Sequence, residues 1–152
     1  MYSYTFDVET GGILLNSTPT NFSKEPRPVY ATEMDILGFD QYWEYDKQND
    51  IPYMWAESTA YWYRGSKIAT ITGGDLYTAP KLQPTTDDEN NVVFGKESGV
   101  ELLPIDILSM CEKNKDLMTV IEDSTVKRIV KEYEKFKKKL DIFHVAFSGG
   151  KD

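Results

Sequence analysis

The residues best suited to chemistry stand together near the end of the chain. They are Ser148, Gly149, Gly150, Lys151 and Asp152. Two adjacent glycines carry no Cβ, so their backbone N–H groups can converge on one point and form a nest for an anion. A helix that follows such a turn directs its N-terminal N–H groups at the same point. The pattern therefore predicts a phosphate-binding loop, with polyphosphate as its natural ligand.

This loop is not a Walker A motif. That motif requires a glycine five residues before Gly150 and a serine or threonine after the lysine. Val145 and Asp152 occupy those two positions. The sequence therefore favours a phosphate loop of another kind.

The segment before the loop, residues 142–147 (IFHVAF), is a nearly continuous apolar run. Such a run is typical of a strand in a parallel sheet, where both faces are covered. A parallel sheet needs further strands, and no second run of this kind occurs between residues 1 and 141. We therefore expect residues 141–152 to be the first strand and phosphate loop of a truncated α/β domain that continues beyond Asp152.

The run FSGGKD resembles the PP-loop of the ATP pyrophosphatase superfamily, in which a strand, the pattern Ser-Gly-Gly-x-Asp-Ser and a helix follow one another. The segment VAFSGGKD is most similar to the branch that contains phosphoadenosine phosphosulfate (PAPS) reductases. The region from MYSYTFDVETGGILLN through YWYRGSKIA also resembles the N-terminal region of larger bacterial proteins described as PAPS reductases.

The resemblance implies that Ser148, Gly149, Gly150 and Asp152 surround the phosphates of ATP or PAPS, with Lys151 at the variable position. It implies an adenylyl nucleotide as ligand and admits Mg²⁺ beside it. The implied reaction is either attack on the α-phosphate of ATP or thiol-dependent reduction of a sulfonucleotide. The alternative is a protein-interaction module attached to a nucleotide-sensing domain, without catalysis. In either case we expect these 152 residues alone to bind no cofactor and to have no activity.

Other candidates have simpler structural interpretations. Cys111, the single cysteine, is expected to be a small buried apolar residue, and His144, the single histidine, a packing residue of the final strand. One cysteine and one histidine cannot form a zinc site by themselves. An aromatic cluster is expected in the core rather than as a base-stacking platform, because it lacks basic neighbours. Its members are Trp55, Tyr61, Trp62 and Tyr63.

The preceding residues predict an α+β fold of small antiparallel β elements and a long helix. Alternation on either side of residues 9–12 predicts a hairpin, residues 33–37 a short helix, and residues 53–83 two or three antiparallel strands. Continuous alternation would place Met54, Ala56, Ala60 and Trp62 on one face of these strands, and Tyr53, Trp55, Tyr61 and Tyr63 on the other. Residues 84–99 are expected to form an exposed loop.

A helical period begins after Pro104. It predicts one long helix, or two abutting ones, with an apolar stripe of Ile105, Leu108, Cys111, Met118, Ile121, Ile129, Tyr133, Phe136 and Leu140. We therefore divide the chain into a β-rich accessory domain (1–103), a linking helix or helix pair (104–140) and the truncated nucleotide-binding domain (141–152). The accessory domain is a candidate for binding a protein partner.

Charge is unevenly distributed along the chain. The net charge of −8 combines −11 for residues 1–112 with +4 for residues 113–139 and −1 for the rest. An acidic N-terminal part repels a phosphate backbone, so we do not expect nucleic acid to be a ligand. The single cysteine, the absence of a secretory signal at the N-terminus and the lack of a run of roughly 18 apolar residues lead us to expect a cytoplasmic protein that does not cross a membrane.

Overall fold

The computed structural model describes residues 2–19 and 25–143. The elements in chain order are β1 (Tyr2–Phe6), β2 (Ile13–Pro19), β3 (Arg27–Val29), α1 (Ala31–Leu37), β4 (Met54–Glu57), β5 (Ala60–Tyr63), β6 (Ser66–Thr72), β7 (Lys81–Pro84) and α2 (Ile107–Phe136). Short 3₁₀ turns cover Phe39–Gln41 and Lys96–Ser98. These elements confirm the predicted α+β class. The chain divides into two compact units, residues 1–114 and 115–152.

The main sheet of the first unit has the strand order β3-β4-β5-β6-β7, and every pair is antiparallel. Aromatic and β-branched residues dominate its central strands, as is usual for a pleated and covered surface. Between β5 and β6 the chain turns in only two residues, Arg64 (φ +46°) and Gly65 (φ +83°). Positive φ at both central positions is the geometry of a tight hairpin turn, and glycine is the residue that adopts it most readily.

The faces of β4 and β5 differ from the predicted alternation. Trp55 pairs with Trp62, and Ala56 pairs with Tyr61, so each pair lies on one face of the sheet. The prediction was wrong because it carried the alternation through the turn at Ser58 and Thr59. A two-residue turn places the residues on either side of it opposite one another, which reverses the phase of the second strand.

One face of the main sheet carries the hydrophobic core. The sheet contributes Val29, Met54, Ala56, Tyr61, Tyr63, Ile68 and Ala69, and the chain that covers it contributes Ala31, Met34, Phe39 and Trp43. Phe39 and Tyr61 meet edge to face, with their ring centroids 5.1 Å apart. The predicted packing of the aromatic cluster is confirmed for Tyr61 and Tyr63, which are 0% and 3% exposed.

The β1–β2 hairpin covers part of the opposite face. Phe6 stacks on Trp62 with a centroid distance of 5.3 Å, and Trp55 Nε1 donates to the Gly11 carbonyl at 3.0 Å. Tyr4 also donates its hydroxyl hydrogen to the Glu57 carboxylate. Trp55 and Trp62 therefore face the β1–β2 hairpin, whereas Tyr61 and Tyr63 of β5 face the side of the sheet that carries the hydrophobic core.

Two segments outside the central strands have ordered contacts. β3 forms as an edge strand although it contains Pro28, because an edge position tolerates a missing N–H. Residues 84–99 are largely exposed, as predicted, but Val93 and Phe94 pack against the core. The Val93 carbonyl accepts a hydrogen bond from Trp43 Nε1 at 2.9 Å.

The predicted long helix is confirmed as α2, although its apolar stripe is not buried as a whole. Ile105 is buried just before the helix, whereas Leu108 and Met118 are 84% and 51% exposed. Cys111 is exposed, so its prediction as a buried apolar residue is wrong. Helical spacing identifies the stripe but does not specify which part of it meets the sheet layers.

No helix within the described ranges 2–19 and 25–143 is both long enough and apolar enough to span a bilayer.

Candidate functional site

The predicted phosphate loop, Ser148 to Asp152, and His144 lie outside the described residues. The structure describes the segment that leads towards them. α2 ends at Phe136, a turn occupies residues 137–139, and Ile142 and Phe143 belong to no regular element. The Phe143 ring packs on Tyr133, with 5.1 Å between the ring centroids.

This return of the chain forms an open apolar groove in the second unit, which we call the α2 groove. Its cavity has a volume of about 610 Å³. The lining residues are Arg128, Ile129, Val130, Glu132, Tyr133, Phe136, Leu140 and Phe143. Ile129, Val130 and Tyr133 are each about half exposed, so no part of the described chain covers them fully. The groove has the size and apolar character of a binding cleft.

A second apolar feature lies at the tip of the β6–β7 hairpin, in the first unit. Leu76 and Tyr77 are each 94% exposed. The turn that carries them is fixed by Asp75, whose Oδ1 accepts from the N–H groups of Tyr77 at 2.7 Å and Thr78 at 2.8 Å. We call this pair of side chains the Leu76–Tyr77 knob.

Gly74 completes the turn of the knob with φ +93°. A Cβ at this position would lie 3.2 Å from Pro80 Cβ, so both the dihedral angle and the available space favour glycine. The Asp75 N–H also donates to the Thr78 carbonyl at 3.0 Å. The backbone below the knob is therefore held by local hydrogen bonds while its two large side chains project into solvent.

A half-buried ionic cluster joins β3, α1 and β5. Arg27 makes a two-point contact with the Glu33 carboxylate, and Tyr61 Oη donates to Glu33 Oε1 at 2.7 Å. Burial alone would raise the pKa of Glu33, but the hydrogen bonds from Arg27 and Tyr61 lower it below its usual value. Burial and the bond to Glu33 raise the pKa of Tyr61 to about 12. The carboxylate is thus ionised and the phenol neutral at physiological pH.

A second cluster lies at the surface beside Trp43. Lys47 Nζ contacts Asp40 Oδ2 at 2.8 Å and Asp35 Oδ1 at 3.1 Å, and Tyr45 Oη donates to the same Asp35 oxygen at 2.8 Å. The hydrogen bond from Lys47 lowers the pKa of Asp40. Burial and the Asp35 contact raise the pKa of Tyr45 above its ordinary value. This tyrosine is therefore a neutral hydrogen-bond donor.

The start of α2 is attached to the β1–β2 hairpin by polar side chains. Asn114 Nδ2 donates to the Ile13 carbonyl at 2.8 Å, and Asn114 Oδ1 accepts from the Leu15 N–H at 2.8 Å. Lys113 Nζ lies 2.7 Å from both Asp7 Oδ2 and Glu9 Oε2. The bond from Lys113 lowers the pKa of Asp7. These contacts fix the first two turns of α2 within the first unit.

Sequence reasoning missed Asn114 and Arg64, two residues that hold elements together. Asn114 lies between Cys111 and Met118 on the apolar stripe, and a polar residue there was the available signal. Arg64 precedes a turn glycine and donates from Nη1 to the Val8 carbonyl at 2.9 Å. Within the described ranges, no group of three or more His, Cys, Asp and Glu side chains is arranged to hold a metal ion.

Comparison of the chain with protein-family models, with curated proteins and with solved structures gives no significant match in any of the three.

Proposed function

We propose that the chain is the N-terminal part of a PP-loop protein, similar to the PAPS reductase branch of the ATP pyrophosphatase superfamily. The observation that carries this proposal is the run VAFSGGKD after a long helix, since an apolar segment followed by Ser-Gly-Gly-x-Asp suits the phosphates of an adenylyl nucleotide. In this proposal residues 148–152 bind ATP or PAPS, and Mg²⁺ accompanies the nucleotide.

The first unit then serves as an accessory module. Its ionisable clusters are occupied by internal contacts: Arg27 with Glu33, Lys47 with Asp40, and Lys113 with Asp7. Such contacts stabilise the positions of strands and helices. The proposed chemistry belongs to the nucleotide-binding domain, as either α-phosphate transfer with pyrophosphate as leaving group or reduction of a sulfonucleotide by a thiol.

The test uses the protein extended through its proposed nucleotide-binding domain. Gly149→Ala places a Cβ where backbone N–H groups should approach the phosphates. We expect calorimetry to show affinity for ATP or PAPS reduced about 10-fold or more, equivalent to roughly 1.4 kcal/mol. Lys151→Ala should have a smaller effect because Lys151 occupies the variable position.

Cys111→Ser is the control, because Cys111 is exposed on α2 and its substitution should change neither folding nor nucleotide affinity. Equal binding of both nucleotides by the wild-type and Gly149→Ala proteins would rule out the PP-loop proposal. The alternative would then be an interaction module without catalysis, for which the exposed Leu76–Tyr77 knob is the favouring observation.

A further inference from the structure

The middle of α2 contains the residues with the lowest intrinsic preference for a helix. In residues 119–126 (TVIEDSTV), only Glu122 is a strong helix former. Five of the other seven residues are β-branched, and the remaining two are Asp and Ser, whose side chains compete for backbone groups. By the same ranking, six of the ten residues in 127–136 are strong helix formers. The helix is therefore intrinsically weak over about two turns of its interior.

Burial does not compensate for this weakness. Seven of the eight residues in 119–126 are exposed, and Ile121 is partly buried. Thr119 Oγ1 donates to the Lys115 carbonyl at 3.0 Å, and Ser124 Oγ donates to the Ile121 carbonyl at 2.9 Å. Side-chain bonds of this kind compete with backbone N–H groups for the same carbonyls and often bend helices. The segment therefore depends on a hydrogen-bond ladder that its own side chains weaken.

The parts of α2 on either side of this segment have additional support. Before it, Asn114 attaches the helix to the β1–β2 hairpin through its side-chain amide. After it, Lys135 Nζ lies 3.5 Å from Glu132 Oε2, and the Phe143 ring packs on Tyr133 with 5.1 Å between the centroids. Local opening takes place where the fewest contacts must be broken. We therefore expect α2 to open in its middle before it opens at its C-terminal end.

We propose that residues 119–126 form a hinge within α2. The hinge opens locally while the flanking parts of the helix keep their hydrogen bonds. Its residues then absorb a change in φ and ψ, as hinge residues do in other proteins, and the helix after Val126 changes direction relative to the helix before Thr119. This proposal does not depend on nucleotide binding, so the two proposals can fail separately.

The first measurement is amide hydrogen exchange of the 152-residue chain, resolved by residue with NMR and corrected for the intrinsic rate of each amide. We expect the amides of residues 119–126 to be about 5-fold less protected, or more, than those of residues 110–114 and of residues 130–136. Fraying from the C-terminal end would instead give protection that falls steadily from residue 114 to residue 136. The position of the minimum therefore distinguishes a hinge from a frayed end.

An alanine variant tests the cause of the opening, because alanine has the highest helix propensity. It combines four changes at exposed residues, Thr119→Ala, Val120→Ala, Ser124→Ala and Thr125→Ala. We expect protection of residues 119–126 to rise about 10-fold or more. The matched control is Lys127→Ala with Lys131→Ala, also at exposed residues of α2. Since lysine is already a strong helix former, the control should change this protection by less than about 2-fold.

Spin labels on either side of the hinge measure the change of direction itself. One label is attached to the exposed Cys111 and the other to Lys131→Cys, an exposed position that does not line the α2 groove. Their Cα atoms would be about 30 Å apart on a straight helix. Pulsed EPR should give a broad distribution that extends to shorter distances, and the four alanine changes should narrow it. An equally narrow distribution in both proteins, protection that falls steadily towards residue 136, or an alanine variant with unchanged protection would each overturn the proposal.

Discussion

At the scale of single residues, Glu33 is a carboxylate on which burial and hydrogen bonding act in opposite directions. Burial raises its pKa, whereas the contacts from Arg27 and Tyr61 lower it, and the net shift is downward. The unfolded chain therefore binds more protons than the folded chain at pH values between the two pKa values, and stability rises with pH there. The stabilisation from this carboxylate is complete above its unfolded pKa and is lost as pH falls through the lower, folded pKa.

Glu33→Gln should therefore lower the free energy of unfolding near neutral pH and have progressively less effect in acid. The measurement is urea unfolding of both proteins at pH values from about 7 down to about 3, on either side of the ordinary glutamate pKa. Asp88→Asn, which changes an exposed loop carboxylate, is the control and should leave the wild-type profile unchanged. A difference between wild type and Glu33→Gln that stays constant over this range would contradict the assignment.

At the scale of elements, the attachment of α2 to the β1–β2 hairpin depends on an amide inside an otherwise apolar pattern. Asn114 is 9% exposed, and its side chain satisfies the Ile13 carbonyl and the Leu15 N–H, as a neighbouring strand would. Gly12 contributes to the same junction, since a Cβ there would lie 2.6 Å from Met110 Cγ. The β1–β2 hairpin and α2 therefore approach so closely at Gly12 that a side chain at this position would require the neighbouring Met110 to move.

Asn114→Ala should leave two backbone groups of β2 without their partner. We expect a loss of about 1–3 kcal/mol in the free energy of unfolding, the usual penalty for buried groups left unsatisfied. Urea unfolding followed by tryptophan fluorescence would measure it. Ser124→Ala, an exposed change on the same helix, should alter stability by less than about 0.5 kcal/mol. A similarly small effect of Asn114→Ala would show that the amide is not needed for docking.

The same elements show what could be predicted from the sequence. The hairpin, the central strands and α2 follow from local periodicity and from glycine turns, because short-range geometry determines them. The faces of β4 and β5 could not be obtained by continuing the alternation, because the turn at Ser58 resets it. The role of Asn114 depends on residues about one hundred positions away, and no local pattern encodes such a contact.

The sequence alone also did not predict the Leu76–Tyr77 knob or the α2 groove. Leu76 and Tyr77 occur in a segment that was interpreted as part of a strand region, and only the structure shows that both side chains point into solvent. Phe143 was assigned to the final strand, but it packs on Tyr133 of α2. For residues 148–152 the phosphate loop stays a prediction, because they lie outside the described part of the chain.

At the scale of the whole molecule, the two units differ in how their secondary structure is supported. Strands β4, β5 and β6 of the first unit are covered on the core face and hydrogen-bonded on both edges. In α2, residues 117–136 belong to the second unit and are mostly exposed, so their stability comes mainly from the helix itself. Helical segments without a packed face are marginal in water.

Amide hydrogen exchange should reveal this difference within one molecule. We expect residues 117–136 to exchange about 100-fold faster or more than β5, because local opening of an exposed helix requires less free energy than global unfolding. Residues 110–114 serve as an internal control, because Asn114 and Lys113 attach them to the hairpin. Equal protection of residues 117–136 and β5 would contradict the expected difference in local stability.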